Sequence, residues 1–224
     1  RIKDGISHLI RVGYTTKYPV LSINAVACRK NLNEIPEVWT WARERNIVPF
    51  LTRLQPMGRA QRRTALTLTS EELYSLFCKI SEIDKEFSIV WEPNIPWVYG
   101  KACRRHYVGC FIDSHGNVQP CSGVPIKAGN IRERGLAEIL SSSKIFEVAR
   151  NMDSYIEGAC RSCQYKSECY GCRSIAYFMR GSFTAADPLC WHNQEEPTEK
   201  RWDEDGHKLG CLVESSKVAG GDLS

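Results

Sequence analysis

The chain has 224 residues, of which 42% are hydrophobic and 25% charged, with 30 Lys and Arg against 26 Asp and Glu. This is globular composition, with room for one good core or two small ones, and the charge is spread without a long run of either sign. No footprint for nucleic acid and no polybasic membrane patch results, and no apolar stretch reaches the length of a membrane span or a secretory leader.

The chain opens on Arg1 rather than methionine, which predicts that further sequence precedes it. Ile6, Leu9, Ile10 and Val12 predict an opening helix that stops at Gly13. Residues 20–26, apolar with β-branched members, predict a buried strand. Asn33 can cap a helix that carries Pro36 in its first turn and Ile35, Val38, Trp39 and Ala42 on one face. A second strand follows at 47–54. Thr69 and Glu72 then have capping-box spacing ahead of Leu73, Leu76, Phe77, Ile80 and Ile83 at helical intervals. Residues 89–91 complete the series as a third short strand. Strands alternating with helices argue for parallel strands with helices outside, as in a barrel. Eight such units need roughly 250 residues. Residues 1–100 are therefore expected to be the C-terminal portion of a partial (β/α) TIM-type barrel, in a chain of α/β class.

From about residue 101 the character changes. Residues 107–112 and 117–121 predict the arms of a β-hairpin, with Gly116 supplying the positive φ of its turn. Asn130 and Glu133 predict the cap of a helix over 131–140, and Ile145, Val148, Ala149 and Met152 a further helix. Residues 101–192 thus read as a small cysteine-rich α+β domain, and residues 193–224, polar and ending in glycine and serine, as a disordered tail.

Eleven cysteines are the anomaly of this composition. A secreted disulfide framework would be odd in number, without a secretion signal, in a chain large enough to fold unstapled. Clustered cysteines in the reducing cytoplasm, where the chain is expected to reside, point instead to metal or redox chemistry. The dense block reads Cys160-x2-Cys163-x5-Cys169-x2-Cys172, with Cys190 beyond it and Cys103 and Cys121 before it. A Cys-x2-Cys pair folds two thiolates back onto one metal centre, and zinc is the plainest occupant. A zinc ribbon, however, separates its two knuckles by a long hairpin, and five residues are too few. Close spacing with distant partners suits a larger multi-iron cube. Arg161, Lys166 and Arg173 stand beside these cysteines, where they either offset thiolate charge or serve as solvated surface cations.

Gly116-x4-Cys121, then Cys160-x2-Cys163-x5-Cys169, Cys172 and the terminal Cys190 resemble the SPASM domain of radical SAM enzymes, with Cys103 as its opening cysteine. Cys169-Tyr170-Gly171-Cys172-Arg173 and Asp187-Pro188-Leu189-Cys190 look like the variant in haem-pathway and related SPASM proteins. The commonest family pattern has three residues between the third and fourth cysteines of the block, and here there are two. Upstream, Ile23-Asn24-Ala25-Val26 with Asn31 and Glu34 resembles the fifth barrel strand of radical SAM proteins. Gln55-Pro56-Met57-Gly58-Arg59-Ala60 resembles the end of the sixth.

The resemblance implies a domain that follows a partial β/α barrel and carries one or two auxiliary iron–sulfur clusters, of 4Fe-4S type. By position it assigns Cys103 and Cys121, with Cys172, to the first cluster and Cys160, Cys163, Cys169 and Cys190 to the second. Asn24, Asn31 and Gln55 fall where barrel ligands bind, near S-adenosylmethionine, or else cap ordinary loops. The complete enzyme would cleave S-adenosylmethionine reductively on a further 4Fe-4S cluster, with electrons from ferredoxin or flavodoxin, and let the 5′-deoxyadenosyl radical abstract a hydrogen from a peptide or small-molecule substrate. The Cys-x3-Cys-x2-Cys loop that holds that cluster is absent from residues 1–224, so the chain is expected to need the N-terminal half of the barrel and to be inactive alone. Two rivals remain: a non-catalytic electron-transfer or scaffold module, and a zinc-stabilised structural domain.

Among the other candidates, Cys110 reads as a buried thiol in mid-strand with Val108 and Ile112, or as a further ligand. Cys28 and Cys78 read as packing residues and Cys211 as a bystander in the tail. His106 and His115 read as surface residues of the hairpin rather than ligands.

Overall fold

The computed structural model describes residues 2–192 apart from residues 16, 19, 91–102, 104 and 168. It is a mixed α/β structure. Helix α1 (Ile2–Arg11) ends short of Gly13, whose φ of 98° lets the amide of Tyr14 turn back to the carbonyl of Leu9. Strand β1 (Ser22–Ala27) lies parallel to β2 (Val48–Arg53), in a register that sets Ser22 opposite Val48 and Ala27 opposite Arg53. Between them runs α2 (Ile35–Arg43), which buries Ile35, Trp39 and Ala42 while Val38 stays exposed. Asn33 does not cap it. The cap position is Glu34, and the polar work falls to Asn31, whose side chain accepts from the Cys28 amide and donates to the Val26 carbonyl.

Two short 3-10 turns (Gly58–Arg62 and Thr64–Leu66) lead into α3 (Ser70–Glu86). The Thr69/Glu72 capping box forms as expected, since both partners lie within one turn and need no tertiary context. Leu73, Leu76, Phe77 and Ile80 of α3 pack with Trp39, Leu51 and Ala27. Asp84, fully buried in α3, accepts from Trp39 Nε1 at 2.8 Å and from Arg43 Nε and Nη2 at 2.8 and 2.7 Å. A buried carboxylate is tolerable only when paired in this way. Ile89 and Val90 form no strand, and Trp91 lies outside the described residues. Among the described residues the first half therefore holds two parallel strands, not three.

The second half is built from short pieces. Helix α4 (Arg105–Val108) occupies what was expected to be the first hairpin arm, because Tyr107 donates its hydroxyl to the Arg150 carbonyl and draws this segment onto a later helix. The hairpin proper is β3 (Phe111–Ile112) against β4 (Asn117–Gln119), joined by a turn in which Asp113 Oδ1 accepts from the amides of His115 and Asn117 and Gly116 takes φ 84°. A third strand, β5 (Gly129–Asn130), pairs antiparallel with β4. Asn130 caps no helix over 131–140. Its amide instead donates across the sheet to the His115 carbonyl and to Asn117 Oδ1, and α5 (Leu136–Ser142) begins later, after Gly135. Helices α6 (Lys144–Arg150) and α7 (Met152–Tyr155), a 3-10 turn (Gly158–Ser162) and α8 (Arg173–Arg180) complete the described chain. The tail beyond residue 192 lies outside the described residues. No helix among the described residues is long and apolar enough to cross a membrane.

Candidate metal centres

The cysteine-rich segments fold around two cavities. Cys160 and Cys163 stand on the 3-10 turn that Gly158 opens with φ 63°, and the Cys163 amide donates to the Cys160 carbonyl. This short return of the backbone brings both thiols to one side. The next turn carries Cys169, and Gly171, with φ 64°, folds its own amide back onto Cys169 Sγ at 3.4 Å. Cys190 arrives from a distant segment, fixed because Trp191 beside it packs against Phe77 and Tyr74 of α3, with ring centroids 5.5 and 5.4 Å apart. Cys160, Cys163, Cys169 and Cys190 thereby line one cavity, together with Asp187 and His192.

The second cavity brings together Cys103, Cys121 and Cys172 with Gln55, His106, Tyr170 and Arg173. Cys121 follows β4, and its sulfur accepts from the Gly123 amide at 3.3 Å. Gly123 admits no side chain, since a Cβ there would meet Ser174 Oγ at 2.5 Å and Gln55 Oε1 at 2.9 Å. Tyr170 is buried, donates its hydroxyl to the Cys103 carbonyl and lies 3.2 Å from His106 Nε2. Burial raises the Tyr170 pKa, so the phenol stays protonated. His106 is buried, not a surface residue as expected; burial, with the Arg150 charge second, lowers its pKa to about 4. His115 lies exposed in the hairpin turn.

The three cations beside the cysteines have different fates. Arg161 is exposed and Lys166 half-buried. Arg173 is 7% exposed and donates to the carbonyls of Phe183, Ala185 and Tyr170, clamping residues 183–185 to the turn at Tyr170. Cys110 precedes β3 rather than lying within a strand. It packs beside Val118, Ile139 and Phe146, and it also lines an open recess with Cys121. Gln55 reaches the Cys172 cavity and accepts from Ser174 Oγ at 3.3 Å. Asn24, exposed on β1, accepts from Thr52 Oγ1, and Asn31 is engaged in its own turn, so neither lines a cysteine cavity.

The donor chemistry fits an iron–sulfur cluster. Cys121, Cys163, Cys169, Cys172 and Cys190 form no disulfides. Among the described residues no three His, Cys, Asp or Glu side chains converge tightly enough for a single ion. A tetrahedral zinc, with bonds of about 2.3 Å to sulfur, would have to draw them together, whereas a multi-iron cube accepts thiolates set further apart. Burial pushes the Cys190 thiol up to about 12 and raises that of Cys172, so coordination there must displace a proton. The N–H groups of Gly123 and Gly171 aimed at sulfur are the contacts that stabilise ligated thiolates. Sequence reasoning missed these two glycines, although Cys121-x-Gly123 and Cys169-x-Gly171 share a pattern that marks them.

Residues 103–164 match the SPASM family, described as an iron–sulfur cluster-binding domain. The chain is also similar to proteins named AdoMet-dependent heme synthase. With that of Methanosarcina barkeri it is 40% identical over 81 residues, 36% of this chain and 23% of the relative. With that of Oleidesulfovibrio alaskensis it is 37% identical over 93 residues, 41% of this chain and 24% of the relative. With that of Nitratidesulfovibrio vulgaris it is 38% identical over 92 residues, 41% and 25%. The matched stretch thus spans about a quarter of the length of these relatives. Residues 103–164, rather more than a quarter of the chain, are thus similar to an iron–sulfur cluster-binding domain.

Proposed function

We propose that the chain holds two auxiliary iron–sulfur clusters, one on Cys103, Cys121 and Cys172 and one on Cys160, Cys163, Cys169 and Cys190, as part of a SPASM-type radical SAM enzyme of the cytoplasm. The observation that carries this reading is the convergence of Cys190 with Cys160, Cys163 and Cys169 on one cavity. A cluster bound there supplies one-electron transfer at a potential set by its surroundings. The chain's own residues bind it through thiolates, keep water away through Tyr170, Phe183 and Trp191, and offset its charge through the buried Arg173.

The parallel β1–β2 pair with its crossover helix α2 is read as part of a β/α barrel, with Asn24, Asn31 and Gln55 on the S-adenosylmethionine side. The Cys-x3-Cys-x2-Cys loop that cleaves this cofactor would come from an upstream barrel half, and the electrons from a ferredoxin or flavodoxin. The likeness to AdoMet-dependent heme synthases favours a tetrapyrrole substrate over a peptide. The 224-residue chain alone is then expected to form no 5′-deoxyadenosine.

The ligand map is tested by iron analysis of the anaerobically reconstituted chain. Cys163→Ala and Cys121→Ala should each remove about one cluster's iron, from different sites, while Cys78→Ala removes none. If Cys78→Ala loses as much iron as Cys163→Ala, the map is wrong.

A further inference from the structure

Asp187 is fully buried and belongs to both cysteine groups at once. Its Oδ2 accepts from the Cys172 amide at 2.8 Å, which fixes a residue of one cavity. Its Oδ1 accepts from the Leu189 amide at 2.9 Å, and its carbonyl accepts from the Cys190 amide, which fixes the turn that delivers Cys190 to the other. Gly171 lets the carboxylate sit there, since a Cβ at that position would stand 2.5 Å from Asp187 Cβ. The counter-charge comes from the first half of the chain. Arg53, the last residue of β2 and itself buried, donates Nη2 to Asp187 Oδ2 at 3.0 Å.

On the two-cluster reading above, we propose that the Arg53–Asp187 ion pair is a shared positioning element that orients the ligands of both cluster sites and sets their potentials together. Breaking a buried pair leaves an uncompensated charge in a medium of low dielectric. The Arg53 guanidinium and the amides of Cys172 and Leu189 all donate to the Asp187 carboxylate, the arrangement of a paired buried charge. Arg53 is near enough to feel both Cys172 and Cys190. Net charge and hydrogen bonds near the sulfurs set cluster potentials, so one unbalanced charge here acts on two sites.

The test is an EPR-monitored redox titration of the full chain, reconstituted anaerobically. Asp187→Asn leaves a lone cation and should raise both midpoint potentials; Arg53→Met leaves a lone carboxylate and should lower both. Arg53→Lys keeps the charge and should return both towards the wild-type values. Should Asp187→Asn fail to retain its clusters, both sites must empty together, and Arg53→Met then carries the titration. Movement of one potential alone, emptying of one site alone, or a shift of both variants in the same direction overturns the shared role. Wild-type chain without iron and sulfide overturns the cluster assignment itself. A single titrating cluster in the loaded wild type overturns the two-cluster reading; two titrating clusters in the wild type, of which the variants move only one, overturn the pair alone.

Discussion

Residues 22–90 and residues 103–192 are held together by different means. The first region gathers most of its apolar residues in one large core, where the 17-residue α3 lays Leu73, Leu76, Phe77 and Ile80 against Trp39 and Leu51, with a smaller group around Ala42 and Ile47. Its buried Asp84 is fully partnered by Trp39 and Arg43. In the second region no described helix exceeds eight residues, and the buried residues fall into several small groups, two of which include candidate ligands, Cys160 and Cys172. Small cores of this kind rarely hold a fold alone and usually depend on metal or another cross-link. The contrast teaches that the first region is a packing problem and the second a coordination problem, joined where Trp191 and Arg53 cross between them.

The largest expected effect breaks the second region and spares the first. Because metal binding is coupled to folding, removing iron by chelation, or Cys169→Ala, should abolish hydrogen-exchange protection in α6 and α8 while α3 keeps its own. Loss of protection in α3 to the same extent would show that the two regions do not differ as described. The reciprocal change is Leu73→Ala, at a fully buried position. It should cost about 2–5 kcal/mol in urea unfolding of the first region, with iron content unchanged.

A pH dependence sharpens the second region further. His106 stays neutral in the folded chain down to about 4, against an ordinary value of 6.5. The unfolded state therefore binds the extra proton, so this contribution is whole above the ordinary value and is lost as pH falls towards the folded one. Wild-type protein loaded with iron should lose more stability between neutral pH and about 5 than His106→Gln does. Equal slopes would mean that His106 takes up its proton in the folded chain as well. The smallest effect lies at the capping box, where Thr69→Ala should lower stability by about 1 kcal/mol, read as a shift in urea midpoint without change in iron.

Legibility in the sequence followed the range of the interactions. Thr69 and Glu72 were readable because both partners sit at a fixed local offset, and the apolar faces of α2 and α3 because helical periodicity repeats. The cysteine framework was noticeable because Cys-x2-Cys spacing is itself a local geometry; in the structure Cys103, Cys121 and Cys172 line one cavity and Cys160, Cys163, Cys169 and Cys190 another. Asn130 was misread because its side chain bonds across a sheet to Asn117 rather than along a helix. Tyr107 was misread because its partner is the Arg150 carbonyl, far along the chain. Arg53 and Asp187, separated by 134 positions, carry no local signal at all. Arg173 was read with Arg161 and Lys166 either as a counter-charge or as a surface cation, since nothing in its spacing shows that three carbonyls enclose it.

Whether the thiolates gathered in the two cavities hold iron–sulfur clusters is read directly by metal and acid-labile sulfide analysis of the anaerobically reconstituted chain. About eight irons per chain with comparable sulfide are expected, the content of two cubane clusters. Stoichiometric zinc with negligible sulfide would contradict the cluster assignment and return the cysteines to a structural zinc domain.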